Sequence, residues 1–296
     1  MNKKELMLPF FTGLSIFLFL VSFIPGISRA KKEKSTTFAI IDSKNANEIT
    51  QIDLINSNGG VSIFKSNGVW KGKELLQNEQ NFGFDFLADG EQVENLINKL
   101  KNNRKMYTFV YKDNNSEADF VNLDDSFLIN IKDSVDLNTT LIIGKSDFSQ
   151  NNRFIKINNQ DQIKKIEWND LEPFMHSEAA FWYDPYIIPR NLYSTNTPVS
   201  ITRIVFNLPE LKNTYTNFET DFSKLLELRH GALYKGTIKN LKNIGFIKIE
   251  TEDLKEILLN FYQYSEDQVV LDYNLSPDSN YKVFLSSWTF EKLQQK

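Results

Sequence analysis

From Leu6 to Ile27 the chain reads LMLPFFTGLSIFLFLVSFIPGI, without one charged residue. A helix of about 20 apolar residues spans the roughly 30 Å hydrocarbon layer of a bilayer, because it satisfies its own backbone polar groups. Two readings fit this stretch. One is an uncleaved anchor, carried by Leu6, Phe10, Phe11, Ile16, Phe17, Phe19, Val21 and Phe23. The other is a secretory signal peptide, with Lys3 and Lys4 ahead of it, the breakers Pro25 and Gly26, and Ser28-Arg29-Ala30 as a small-x-small cleavage site. The run exceeds the roughly 7–15 residues of a signal-peptide core, so retention is the expectation.

The flanking charges compete over orientation. Arg29, Lys31, Lys32 and Lys34 make the C-terminal flank at least as basic as the N-terminal one, which argues for a cytoplasmic body. A lone N-terminal segment behind a short basic start is the usual arrangement for export. Export is the expectation: a single pass in the inner (cytoplasmic) membrane, with the body on the periplasmic, extracytoplasmic side. The chain has no cysteine, which excludes disulfides and a lipid-modified cysteine.

Beyond residue 34 the pattern is that of a folded body. Hydrophobic residues make up 41% of the chain and aromatic residues 13%, enough for a real core. The net charge is −4 with both signs interspersed, so no basic stripe points to nucleic acid. Strands are predicted at 37–42, 49–55, 61–65 and from 69, separated by the turns Asn56-Ser57-Asn58-Gly59-Gly60 and Ser66-Asn67-Gly68. A helix is predicted from Asp89 to Arg104. Asp89 caps it with Gln92 completing a capping box, and Val93, Leu96, Ile97 and Leu100 fall on one face. Lys99, Lys101 and Arg104 then suit its negative end. Strands follow at 106–111, 127–131, 141–143 and 153–157; the piece 161–166 is ambiguous. The aromatic stretch 176–188 predicts a helical turn or two ended by Pro185.

Past Pro198 the opening restarts. Ile201-Thr202-Arg203-Ile204 echoes Ile49-Thr50-Gln51-Ile52, and a second capped helix is predicted behind Thr216-x-x-Glu219. Its face is Phe218, Phe222, Leu225 and Leu226, and Gly231 stands at the C-terminal cap position. Strands at 244–250, 256–262, 268–275 and 281–286 complete a meander. The fold class is α+β: an N-terminal transmembrane helix, then mixed or antiparallel sheets with a few packed helices, in two halves that the echo suggests are related. The divisions are 1–34 (anchor or signal and basic linker), 35–198, and 199–296.

The sequence carries few marks of chemistry. Gly144-Lys145-Ser146 ends like a phosphate-binding loop, but Thr139 stands where its first glycine belongs, and a strand running into a turn is the better reading. The two histidines, His176 and His230, have no second ligand at i+3 or i+4, so both read as structural. There is no cysteine nucleophile and no G-x-S-x-G elbow. Asp124-Asp125 and Glu250, Glu252 and Asp253 read as solvated turns. No catalytic, cofactor-binding or metal-ligating residue is assigned, and no cofactor is expected. The cluster Phe181, Trp182, Tyr183 and Tyr186 is the candidate binding surface, where stacked rings could hold an envelope glycan or peptide. Core packing is the stronger reading of these rings, and of Trp70 and Trp288.

The order of these features resembles that of the domain-of-unknown-function 4340 family. They are the N-terminal membrane segment, the strand pair around 49–64 with Gly68-Val69-Trp70, the Asp-capped helix from Asp89, and the strand ending Ile143-Gly144. The strand 153–157 and Trp182-Tyr183-Asp184 complete the series. The match covers about 34–198. The family usually has Trp-Arg-Asp at the last motif, and the later half fits less well. The resemblance implies an extracytoplasmic accessory or scaffold protein beside an ABC-2-type, gliding-motility-like transporter, without catalytic activity, with the permease and ATPase subunits and the membrane as partners. The alternatives are a glycan- or peptide-binding envelope module, or a carboxylate-dependent hydrolase of an envelope polymer.

Overall fold

The computed structural model describes residues 35–41, 48–66, 68–75, 85–108, 120–122, 126–135, 138–158, 163–190, 201–216, 226–252, 256–274 and 280–295. The expected anchor, 6–27, lies outside them, as do Phe218, Phe222 and Leu225 of the second expected helix. Among the described residues no helix is long and apolar enough to cross a membrane.

The body is sheet-rich α+β. The first sheet takes the strands β1 (Ser35–Phe38), β2 (Ile49–Asn56), β3 (Gly59–Ser66), β4 (Val69–Leu75) and β5 (Asp85–Leu87). It is completed by β6 (Arg104–Thr108), β7 (Phe127–Asp133), β8 (Asn138–Ser146), β9 (Asn152–Ile157) and β10 (Lys164–Glu167). They lie in the order β1-β6-β10-β9-β8-β7-β2-β3-β4-β5. The second sheet is β12-β11-β13-β14-β15-β16, from β11 (Ile201–Asn207), β12 (Lys212–Tyr215), β13 (Lys242–Thr251), β14 (Glu256–Gln263), β15 (Gln268–Asn274) and β16 (Asn280–Ser286). Every described strand pair is antiparallel, so the mixed alternative is corrected.

Alternation dictates which face is buried. In β7, Phe127, Ile129, Ile131 and Asp133 are buried while the residues between them are not. β2 breaks the period: Ile49 and Ile52 are both buried, and the ladder to β7 shifts between Ile49 and Gln51. A bulge there adds one residue and turns both isoleucines inward.

The helix α1 (Gly90–Lys101) buries the predicted Val93, Leu96, Ile97 and Leu100, and Asp89 accepts from the backbone N–H groups of Glu91 and Gln92. Two details differ from expectation. The Gln92 side chain donates to the Phe181 carbonyl instead of closing a capping box, because the Asp89 N–H is already committed to the Trp182 carbonyl. Arg104 is not on the helix but opens β6. Its buried guanidinium reaches back to the Lys99 carbonyl, and also to the Glu167 carbonyl and Asp170. It serves the helix's negative end from the adjoining strand.

Other boundaries moved for tertiary reasons. The first strand ends at Phe38, not 42, because the Ile41 N–H leaves the ladder for the Leu100 carbonyl. The ambiguous piece becomes β10, while β5, β12 and the terminal helix α3 (Ser287–Gln294) had no predicted counterpart. Trp288, expected in the core, stands 64% exposed on α3 with Lys292 over its ring; Phe290 and Leu293 are the residues that turn inward. Gly231 does not cap a helix: its N–H donates to the Phe284 carbonyl of β16.

One hydrophobic cluster runs through both sheets, joining Ile52, Leu54 and Ile129 to Leu259, Phe261 and Val283. At about 1.5–3 kcal/mol for each large apolar side chain removed from water, this shared core is the main stabilising contribution. A satellite cluster of Val121, Phe154 and Ile163 lies apart from it.

Candidate functional site

The inner edges of the sheets are β5 and β16, and two extended segments, 183–188 and 228–234, connect them strand to strand. Ala88, just past β5, bridges to Tyr183, Tyr186 bridges to Arg229, and Leu233 bridges to Val283 on β16. The hydrogen bonds continue without a gap. Asp184 N–H donates to the Leu87 carbonyl (2.8 Å), His230 N–H to that of Pro185 (2.9 Å), Ile187 N–H to that of Leu228 (2.9 Å), and Tyr234 N–H to that of Lys282 (2.7 Å). The two sheets are thereby stitched along a seam.

Asp184 organises the first segment. It follows α2 (Ala179–Trp182), a single turn that ends before Pro185, since the residue ahead of a proline is pushed away from helical geometry. Its carboxylate accepts from the Tyr186 N–H (3.0 Å) and the Arg190 N–H (2.8 Å). This is an Asx-type turn with proline at its second position. The side chain is only 2% exposed, and burial pushes the carboxyl up to about 7, against its two N–H donors and Arg190, with Asp89 adding to the rise.

Around it lie His230, Tyr273 and Tyr281. The His230 ring places Nδ1 2.8 Å from the Gly231 carbonyl and Nε2 2.7 Å from the Asp184 carbonyl. A neutral imidazole can donate to only one of them. The two carbonyls therefore favour the imidazolium, but burial outweighs them and holds the ring below its ordinary value. Tyr273 donates to the Ile187 carbonyl (2.9 Å) and stacks on Tyr281 at 4.5 Å between ring centroids. Burial, with Asp184 close by, drives both phenols well above their usual range. The Tyr281 hydroxyl is buried and has no hydrogen-bond partner among the described residues.

The predicted aromatic surface falls on this seam, mostly inside it. Trp182 is fully buried with Nε1 on the His176 carbonyl at 2.7 Å, and Tyr186 is buried; Phe181 and Tyr183 are half-buried. Phe181 stacks on His176 at 4.0 Å, and Tyr183 tilts against His230 at 5.0 Å. A buried Trp182 offers no ring face to a solvent-borne sugar. Trp70 is buried as expected, with Nε1 on Glu94 at 3.0 Å.

Other predicted features are not brought together. His176 and His230 share no site. Glu250 takes part in a surface network with Arg203, Lys248 and Glu256, while Asp124, Asp125 and Asp253 lie outside the described residues. Among the described residues no cluster of three or more His, Asp or Glu could hold a metal. Gly144 lies within β8, where a Cβ would meet the Phe120 carbonyl at 2.1 Å; the glycine admits a crossing segment, not a phosphate.

In the sequence Asp184 stands out only as part of the resemblance, and Arg190 and Arg229 have no assigned role. The Asp184-Pro185 pair carried a turn signal. The arginines carried none. No protein-family profile, curated protein or solved structure matches this chain.

Proposed function

We propose that this protein is a membrane-anchored extracytoplasmic scaffold, an accessory to an ABC-2-type transporter with no catalysis of its own. The observation that carries this reading is the seam. Two sheets that share one core and are joined through the segments 183–188 and 228–234 make one body with two outer edges to present. The resemblance of motif order to the domain-of-unknown-function 4340 family supports the same role. So does the position of β1: it is an outer edge and starts at Ser35, eight residues after Ile27. At roughly 3.3–3.6 Å per residue, an anchored body would hold that edge within about 29 Å of the membrane.

The test is purification of the tagged full chain in mild detergent from its native membrane, with protease accessibility in intact cells. Co-purification of a permease and an ATPase subunit, with a body cut from the outside, is the expected result. A mature chain that begins at Lys31, or a protein that purifies alone, overturns the reading.

A further inference from the structure

Tyr186, Arg190 and Arg229 form a polar group on the seam whose hydrogen bonding does not close. The Tyr186 hydroxyl accepts from Nη2 of Arg190 and from Nη2 of Arg229 (3.1 Å). A phenol oxygen has two acceptor positions and one hydrogen. Both acceptor positions are filled, so the hydrogen must be given to something else, and no acceptor for it stands among the described residues. The ring itself is 6% exposed and held by the same pair, with guanidinium carbons 4.0 Å and 5.1 Å from its centroid.

The charges are equally open. Two guanidinium groups sharing one oxygen repel each other. Glu91 offsets Arg190 through a contact of 3.2 Å between two well-exposed side chains, a kind of pair that water screens and a ligand can displace. Arg229 is exposed and meets no carboxylate among the described residues. The buried acid Asp184 feels the charge of Arg190, but its carboxyl oxygens are turned to the backbone N–H groups of Tyr186 and Arg190.

We propose that Arg190, Arg229 and the Tyr186 hydroxyl bind an oxyanion of the phosphate class. Two guanidinium charges and a hydroxyl donor in one group suit the several oxygens and the charge of about −1.5 to −2 of a phosphate better than the single charge of a carboxylate. Arg190 follows the segment tied to β5 and is held to it by its N–H on Asp184, and Arg229 belongs to the segment tied to β16, so the anion bridges the two sheets at the seam. The phosphate can be carried by a soluble compound or by an anionic lipid headgroup.

The experiment uses the full chain in uncharged detergent. Inorganic phosphate is titrated against sodium chloride at matched ionic strength, with binding followed by calorimetry and thermal stability. Saturable binding and a raised Tm in phosphate only are expected. Arg229→Gln should weaken binding about tenfold or more, as loss of a charge-assisted fork would, and Tyr186→Phe should weaken it less. The exposed control Lys239→Gln should change nothing. Dihexanoyl phosphatidylglycerol, below its micellar concentration and compared with dihexanoyl phosphatidylcholine, separates the sources. Tighter binding than inorganic phosphate assigns the site to a headgroup, and equal or weaker binding to a soluble phosphate. Equal effects of phosphate and chloride overturn the proposal. So does unchanged phosphate affinity in both Arg229→Gln and Tyr186→Phe, with folding of each verified by circular dichroism.

Discussion

The two sheets end differently at their inner and outer edges. Outward, β1 and β12 are four-residue strands whose first three residues are exposed. Short edges of this kind limit pairing with other chains. Inward, β5 and β16 are covered by paired extended segments, and the buried carboxylate, imidazole and phenols gather there. Polar groups at a water-exposed edge cost nothing to leave open. The same groups under a shared core must each find a partner or lose its hydration uncompensated. The seam is where this chain's specific chemistry is concentrated.

The largest break in that contrast should come from Trp182→Ala. It empties a fully buried site between α1 and the seam and deletes the bond to the His176 carbonyl, at a cost of about 3–5 kcal/mol. Denaturant unfolding measures it. A loss below about 1 kcal/mol would mean that the seam does not share the core's cooperativity.

Next in size are pH effects of opposite sign. Asp184 holds its proton up to about 7 in the folded chain but only to about 3.8 when unfolded. The folded state therefore binds more protons between these values, and this group's contribution strengthens as pH falls from about 7 to about 4, by up to roughly 4 kcal/mol. His230 acts the other way. Its folded value lies below the ordinary 6.5, so stability from it is present above 6.5 and declines as the unfolded chain takes up a proton below that. In the native chain the two offset each other under mildly acidic conditions. Relative to it, His230→Gln should gain stability on acidification from pH 7 to 5, and Asp184→Asn should lose it. The readout is the slope of unfolding free energy with pH, which separates these effects from any fixed cost of either substitution. Parallel slopes in all three proteins would show that the seam groups do not titrate as described.

The smallest effects should mark the contrast from outside. Trp288→Ala removes an exposed ring and should stay within about 0.5 kcal/mol of the native stability. Tyr281→Phe deletes a buried hydroxyl that has no partner among the described residues and should be neutral or slightly stabilising, unlike Tyr273→Phe, which frees the Ile187 carbonyl and should cost about 1 kcal/mol or more. A Tyr281→Phe penalty as large as that of Tyr273→Phe would reveal an acceptor for the Tyr281 hydroxyl.

Much of the fold was legible locally. The stripe Val93, Leu96, Ile97 and Leu100 and the cap Asp89 located α1 within a few residues, because a 3.6-residue apolar period and a side-chain acceptor are properties of one segment. Apolar and β-branched runs bounded by turn residues did the same for β7, β14 and β15. Arg104 shows where this stops. A basic residue near a helix end has the same local signature whether it continues the helix or starts a strand that reaches back to it.

By itself, then, the sequence determined most of the strands, the helix capped by Asp89, a sheet-rich α+β class and an apolar segment long enough for a membrane. Each rests on periodicity or on a contact within a few positions. Tertiary structure alone decided that Trp182 is buried while Trp288 is not, and that the Arg190 and Arg229 side chains meet on one tyrosine. It also decided that Asp184 faces the interior between two sheets. Those outcomes depend on which edges meet, and pairing between 183–188 and 228–234 joins residues more than forty positions apart, beyond the reach of any local pattern.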